Sequence, residues 1–350
     1  LKAIYAGIAA SAEAYFHHQK SPGEPPKTDL PAKLSGVFRA ERLVNLIHRR
    51  QSDADYHHHH NLRIHYRFED SMLDFKFEFG TMEWSGFAGE NALKGSIPYT
   101  EHLNPKAFIE TRPVFLPTRE LLSLYPGFVS LYETTHLPFE ETWRDTALLL
   151  GAPLAKGERE KRIATLLEPI EAAMGGRLVL EDSGRFYLIT EGLGRIEMHL
   201  LAEGFRKLGM LARLIATGAL LDRGYLFWDE PEANLNPKLI KKLAKLILQL
   251  SAEGIQIFIA THSLFLLREL HILQKREFQD LDTRGFGLHM QEDGTVSVQQ
   301  GNSMDEVGSI TVLDEDLQQS ERYIDTEMRV PNQEAGNSSS KVQAHANAAG

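Results

Sequence analysis

The stretch YLFWDEPEANLNPKL, from Tyr225 to Leu239, limits what this chain can fold into more than any other. Four apolar residues run straight into two carboxylates, Asp229 and Glu230, and a proline follows at once. A buried strand ends in adjacent carboxylates only where something is there to be held or charged. Asn236 then stands as an N-cap and Pro237 suits the first turn of a helix. Leu239, Ile240, Leu243, Leu246, Ile247 and Leu250 repeat at helical spacing, so they form its buried stripe. Gly254 ends that helix. The run IQIFIA (Ile255–Ala260) is a continuous apolar strand, as expected in a sheet covered on both faces. Thr-His-Ser and a further helix from Leu264 follow. Strand, helix and strand make a βαβ crossover, with polar residues at the C-terminal ends of both strands. In open parallel sheets that edge is where ligands bind.

The residue types fit a nucleotide and its metal. An Asp at a strand tip suits a hydrated Mg²⁺, which takes one or two carboxylates and completes its shell with phosphate oxygens and water. The neighbouring Glu230 points elsewhere and can orient or deprotonate a water. His262, at the tip of the next strand, can sense a terminal phosphate by hydrogen bonding. Lys238, Lys241, Lys242 and Lys245 line the opposite side of the central helix and read as a solvated face.

Elsewhere the periodicities predict mixed structure. Residues 1–18 read as helix, QKSPGEPPKTDLPAK as a proline-rich loop, and residues 38–50 as a second helix. Leu62, Ile64, Tyr66 and Phe68, then Leu73, Phe75, Phe77 and Phe79, alternate as a hairpin with one apolar face. Residues 107–125 read as a strand, a proline break and a short helix, and residues 137–174 as mostly helical. Arg177–Thr190 forms a hairpin turning at Asp182–Gly184, with RIEMHL as a further strand, and residues 204–217 an amphipathic helix closed by Gly218. FGLHMQEDGTVSVQQ is a last hairpin, and residues 331–350 are small and polar enough to be disordered. The run YHHHH (Tyr56–His60) reads as a loop without the carboxylates a metal site would add. The acidic LDED (Leu313–Asp316) resembles a nuclease motif, but too little chain follows it for a nuclease domain.

Composition narrows the function classes. The 350 residues are 42% hydrophobic and 25% charged, the balance of a globular protein. Without cysteine there is no disulfide framework and no thiolate zinc site. No run of about 18 apolar residues occurs, so no membrane partner is expected and the cytoplasm is the expected compartment. The net charge of −10 argues against a surface that coats DNA generally. The basic segment Phe38–Arg50 is the best local exception, although a solvated amphipathic helix is the better reading of it.

Taken in order, these motifs closely resemble the ATPase domain of the ABC/SMC-type superfamily, in its RecF-like and OLD-like bacterial branch. YLFWDEP resembles the Walker B strand, which implies Asp229 on Mg²⁺ and Glu230 as catalytic base. EANLNP resembles the loop that crosses the dimer interface, with Asn236 where Asp is frequent. IFIATHS resembles the switch strand, with His262 on the γ-phosphate. LAEGFRKLGMLARLI (Leu201–Ile215) resembles the signature motif and its helix: Ala202, Glu203 and Gly204 would meet ATP, with Ala202 where many relatives carry Ser. FLPTRE (Phe115–Glu120) resembles another motif of the family; Arg119 and Glu120 there either line the nucleotide side or begin a helix with an ion pair.

The phosphate-binding loop G-x-x-x-x-G-K-[ST] does not occur in the chain. GENALKGS (Gly89–Ser96) and GAPLAKGE (Gly151–Glu158) fail its spacing. The start LKAIYA resembles the helix that follows that loop in the family, so the resemblance implies a loop upstream of Leu1, and a chain that on its own neither holds ATP tightly nor hydrolyses it.

The expected architecture is α/β: a P-loop NTPase core with a parallel sheet flanked by helices, an antiparallel β-subdomain over 62–100, a helical insertion over 130–175, and the signature, Walker B and switch motifs over 200–275, all within an ATPase domain spanning 1–325. The resemblance implies ATP and Mg²⁺ as cofactors and a head-to-tail homodimer, with the signature helix of one protomer on the other's nucleotide. Asp229, Glu230 and His262 are then expected at one sheet edge beside the first helix, and Gly204 on a surface exposed in the monomer. Resemblance to antiphage-defence ATPases implies a nuclease or toxin partner. A DNA-repair clamp, with DNA as partner, and a non-hydrolysing interaction module are the alternatives.

Overall fold

The computed structural model describes residues 1–21, 30–39, 59–68, 71–80, 101–102, 111–135, 137–157, 160–221, 224–292, 294–303 and 306–329. They form two compact units. The first comprises Leu1–Thr261 with Phe265–Leu281, and the second His262–Leu264 with Asp282–Gly350.

The first unit is built on a parallel sheet of β4 (Val114–Leu116), β8 (Tyr225–Asp229) and β9 (Gln256–Ala260), in the order β4-β8-β9. Leu116 lies opposite Trp228, and Asp229 opposite Ala260. The two-residue period of these strands divides the core. Phe115, Tyr225 and Phe227 turn to one side and pack with α1 (Lys2–Lys20) and α2 (Leu30–Phe38). Phe227 is fully buried, stacks on Phe258 at 4.6 Å and meets the edge of Tyr5 at 5.8 Å. Val114, Leu116, Leu226 and Trp228 turn to the other side, against α6 (Glu203–Ala216) and α7 (Pro237–Ala252). The crossover from β8 through α7 to β9 is therefore the one expected. Asn236 caps α7 by accepting from the Leu239 N–H at 3.0 Å. Lys238, Lys241, Lys242 and Lys245 are all exposed.

Two expectations change. β9 is an edge strand among the described residues and is only half-buried, not covered on both faces. Its apolar run serves contacts to one neighbour and to the two layers, and that suffices. The proline-rich stretch is partly helical: α2 begins at Leu30, with Pro31 in its first turn, where a missing N–H costs nothing. Most of the helix expected over 38–50, and all of Gly89–Ser96, lie outside the described residues.

α1, α2 and α4 (Glu141–Leu150) are joined through Lys33, whose side chain is 6% exposed. Its Nζ lies 2.7 Å from Glu141, 3.1 Å from Asp145 and 3.2 Å from Glu13. Burial opposes its charge, but the three carboxylates outweigh that and hold its pKa above the ordinary lysine value. Tyr5 donates to Asp145 at 3.1 Å from the same cluster.

Most of the rest of this unit follows the periodicities, but the short helix expected before Tyr125 is a turn, and RIEMHL is a strand only to Glu197 and a 3-10 turn over Met198–Leu200. β1 (His59–Phe68) and β2 (Ser71–Gly80) form the first hairpin, with Leu62 opposite Phe77 and Ile64 opposite Phe75, and β3 (Glu101–His102) joins β2. His59 and His60 are part of β1 instead of a loop, because the ladder runs on to Gly80 and Phe79. α3 (Tyr125–Thr135), α4 and α5 (Glu160–Met174) supply the helical segment, so the loop beginning at Gly151 joins two helices where a phosphate loop would join strand to helix. β5 (Gly176–Leu180), β6 (Phe186–Thr190) and β7 (Gly194–Glu197) form an antiparallel sheet. α8 (Leu264–Glu277) packs on α7 through Leu266 and Leu273.

In the second unit, β10 (Gly285–Met290) pairs with β11 (Val296–Gly301), Leu288 opposite Val298. The acidic LDED falls in the first turns of α9 (Thr311–Arg329), a helix the periodicity reading missed. No helix among the described residues is long and apolar enough to cross a membrane. Residues 331–350 lie outside the described residues.

Candidate functional site

The C-terminal edge of the parallel sheet collects the chemistry of the first unit. Asp229 is the last residue of β8, and the Glu230 N–H extends the ladder by donating to the Ala260 carbonyl at 2.9 Å. Glu230 then takes a left-handed backbone, φ 46°. Few residues other than glycine adopt it, and it ends the extended backbone of the strand directly after Asp229. Both are half-buried.

The head of α1 lies at the same place. Leu1's amino group is held below its ordinary pKa by burial, while the Asp229 carboxylate acts in the opposite sense. The free N–H groups of the first turn of α1, with the partial positive charge of a helix N-terminus, thus stand near a metal-binding type of carboxylate. No acidic side chain occupies that first turn.

The turn after Glu230 is tightly built. The Ala233 N–H donates to the Glu230 carbonyl at 3.1 Å and the Leu235 N–H to the Glu232 carbonyl at 3.0 Å. Asn234 is also left-handed, φ 63°. Glu232 is buried and accepts from the Thr261 hydroxyl at 2.6 Å through Oε1, while its buried Oε2 has no hydrogen-bond partner among the described residues.

α6 presses its first two turns on this turn. Ala202 is its N-cap and is exposed; Glu203 is its first residue. Gly204 is buried, not exposed: a Cβ there would lie 2.9 Å from the Asn234 carbonyl oxygen and 3.1 Å from Leu235 Cδ2. The glycine is required by the chain's own packing, whatever else approaches it. Gly204→Ala is accordingly expected to cost about 1–3 kcal/mol of stability, read as a lower urea midpoint with unchanged slope; an unshifted midpoint would show that the turn gives way freely.

One turn further, Lys207 is 2% exposed. Its Nζ donates to the Glu230 carbonyl at 2.8 Å and the Ala233 carbonyl at 3.3 Å. Burial lowers its pKa to about 8, against the opposing pull of Glu232, Glu203, Glu230 and Asp229. The sequence reading missed this residue. Its signal was a lysine inside the stripe formed by Gly204, Leu208, Leu211 and Ile215. It also missed what Glu120 does: buried, Glu120 accepts from the Ser123 hydroxyl at 2.6 Å and lies 2.7 Å from Arg206 Nε. Glu120 thus makes an ion pair, but with Arg206 of α6 and not at a helix start: α3 begins only at Tyr125, and Arg119 is exposed.

The structure thus brings Asp229, Glu230, Gly204 and Asn236 into one region of the first unit, with Asn236 occupied as a helix cap. His262 follows Thr261 in the chain, is exposed, and is the first residue of the second unit.

Comparison with solved structures finds several SMC heads. An SMC head bound to the C-terminal winged-helix domain of ScpA is 15% identical, with 76% of this chain and 81% of that chain covered and a TM-score of 0.44. The SMC head domain from Thermotoga maritima is 12% identical over 69% and 73%, with a TM-score of 0.39. The Pyrococcus furiosus SMC head with an extended coiled coil is 22% identical over 45% of this chain, with a TM-score of 0.31, and only 38% of its own length is spanned. At such scores none of these likenesses carries the assignment. No curated protein matches. The family profile described as "AAA domain, putative AbiEii toxin, Type IV TA system" matches residues 15–268, well over half of the 350, and the chain belongs to that family of AAA-domain ATPases.

Proposed function

We propose that this chain carries the catalytic half of an ATP-hydrolysing head of ABC/SMC type, which binds Mg²⁺-ATP between two head-to-tail protomers. The observation that supports it best is Asp229 at the sheet edge within electrostatic reach of the head of α1, followed at once by Glu230 on a left-handed backbone. The residues present fit the metal side of such a site: Asp229 would hold hydrated Mg²⁺, whose chemistry there is to neutralise phosphate charge. Glu230 would take the proton of the attacking water. His262 would hydrogen-bond the terminal phosphate, and Ala202–Gly204 with Asn236 would face the partner protomer's nucleotide. The finer assignment within the superfamily is to its RecF-like and OLD-like branch. The family description, which names a toxin–antitoxin system, favours a defence ATPase in the cytoplasm working with a nuclease or toxin partner.

The test is nucleotide binding with and without Mg²⁺, in this chain and in one extended before Leu1 by a strand and a G-x-x-x-x-G-K-[ST] loop. The extended protein is expected to bind a fluorescent ATP analogue and this chain only weakly. Asp229→Asn in the extended protein should lose the Mg²⁺-dependent part of the affinity, about tenfold or more. Equal affinity of the Asp229→Asn variant and its parent across Mg²⁺ concentrations would remove Asp229 from the metal.

A further inference from the structure

Among the described residues, Lys207 is a buried cation on α6 whose amine is spent on the backbone of the turn that carries Glu230. We propose that Lys207 is the positioning residue for Glu230: through its bonds to the Glu230 and Ala233 carbonyls it fixes the turn, so that the catalytic carboxylate is aimed by the first turns of α6.

A lysine with 2% exposure costs a large desolvation penalty, and a hydrophobic side chain would fill the same stripe without it. The ammonium's hydrogen bonds, with the carboxylates around it, offset that cost. No carboxylate lies within ion-pair distance of it among the described residues; its donors go to two carbonyls of one turn. Those carbonyls belong to a turn whose backbone is otherwise strained. Glu230 at φ 46° carries the cost of a left-handed backbone, and Asn234 at φ 63° closes the same turn. Such a conformation persists only where its surroundings over-determine it. Here two contacts from α6 do so: the amine of Lys207 pulls on the carbonyls of Glu230 and Ala233, and Gly204, one turn earlier, lets the Asn234 carbonyl approach. The surrounding carboxylates, Glu203 on α6 and Asp229, Glu230 and Glu232 on the strand end and turn, favour the charged amine. Any shift of α6 along its axis would therefore move the Glu230 backbone with it. The part about catalysis rests on the ATPase reading above; the part about the turn does not.

The experiment uses Lys207→Met, which fills the stripe without donors, and Lys207→Arg, which keeps them. Amide exchange is followed in the 350-residue chain at Ala233 and Leu235, with Leu188 in the β5-β6-β7 sheet as the internal standard. In Lys207→Met the two turn amides are expected to lose about tenfold in protection while Leu188 changes less than about twofold; Lys207→Arg should recover most of the loss. In the nucleotide-hydrolysing protein the Met variant should lower kcat about tenfold with KM held within about twofold. Unchanged turn protection in the Met variant overturns the proposal, as does lost protection with unchanged kcat. Should the protein extended by the phosphate-binding loop prove not to hydrolyse ATP at all, the ATPase reading fails, and the exchange measurement alone then supports or overturns the role of Lys207 in the turn.

Discussion

Glu230→Gln in the nucleotide-hydrolysing protein is expected to lower turnover about 10²- to 10⁴-fold and to leave nucleotide binding in place. The amide keeps the size and the hydrogen-bonding reach of the carboxylate. It cannot accept a proton at neutral pH, so the attacking water keeps both of its own. The left-handed backbone at residue 230 is equally accessible to Gln, and the ladder bond from its N–H to Ala260 does not involve the side chain. Folding should therefore be preserved, which separates this variant from one that merely disrupts the turn. Single-turnover phosphate release and binding of a fluorescent ATP analogue check the two halves. Turnover within about threefold of wild type would show that another group takes the proton. A parallel loss of binding would point to a positioning role instead.

Lys33→Met is expected to destabilise the first unit by about 3–5 kcal/mol. The substitution removes the cation common to Glu13, Glu141 and Asp145 and leaves Glu141 and Asp145 with Arg144, at 3.5 and 3.0 Å, as their remaining cation among the described residues. Met fills the volume, so the loss reports the removed charge and not a cavity. The sign of the pH dependence follows. With the cation gone, the folded state holds the Glu141 carboxyl further above its ordinary pKa, so it binds more protons than the unfolded chain. The deficit should then be greatest at neutral pH and shrink as pH falls through the carboxylate range. Glu141 is already raised by its burial, even with Lys33 beside it, and leads this titration. Urea unfolding at neutral and acidic pH measures both quantities. A midpoint unchanged from wild type at neutral pH would show that water reaches the cluster freely.

Much of the fold was legible because its signals are short-range. Strand alternation set the shared face of β1 and β2, and the cap at Asn236 with Pro237 fixed the start of α7 to the residue. The adjacent carboxylates after an apolar strand located the sheet edge before any contact was known. Where local signals were absent, the reading stopped. α9 does carry apolar residues at helical spacing, Leu313, Leu317, Ile324 and Met328, but they lie in a strongly polar segment, and among the described residues Leu317, Tyr323, Ile324 and Met328 are exposed, so no core contact announced it. The family resemblance carried the candidate roles of Glu230 and His262, which no spacing could assign.

The sequence by itself therefore determined the βαβ crossover, its caps, its turn and the carboxylate pair at the end of β8, since each depends on residues within one or two turns of chain. Only the tertiary structure decided the meetings of distant residues: Leu1 with Asp229, Lys33 with Glu141 and Asp145, Gly204 and Lys207 with the turn after Glu230. A lysine in a helical stripe looks the same in sequence whether it meets water or a carbonyl. What distinguishes the two is the desolvation cost, and that is set by which surfaces close over it.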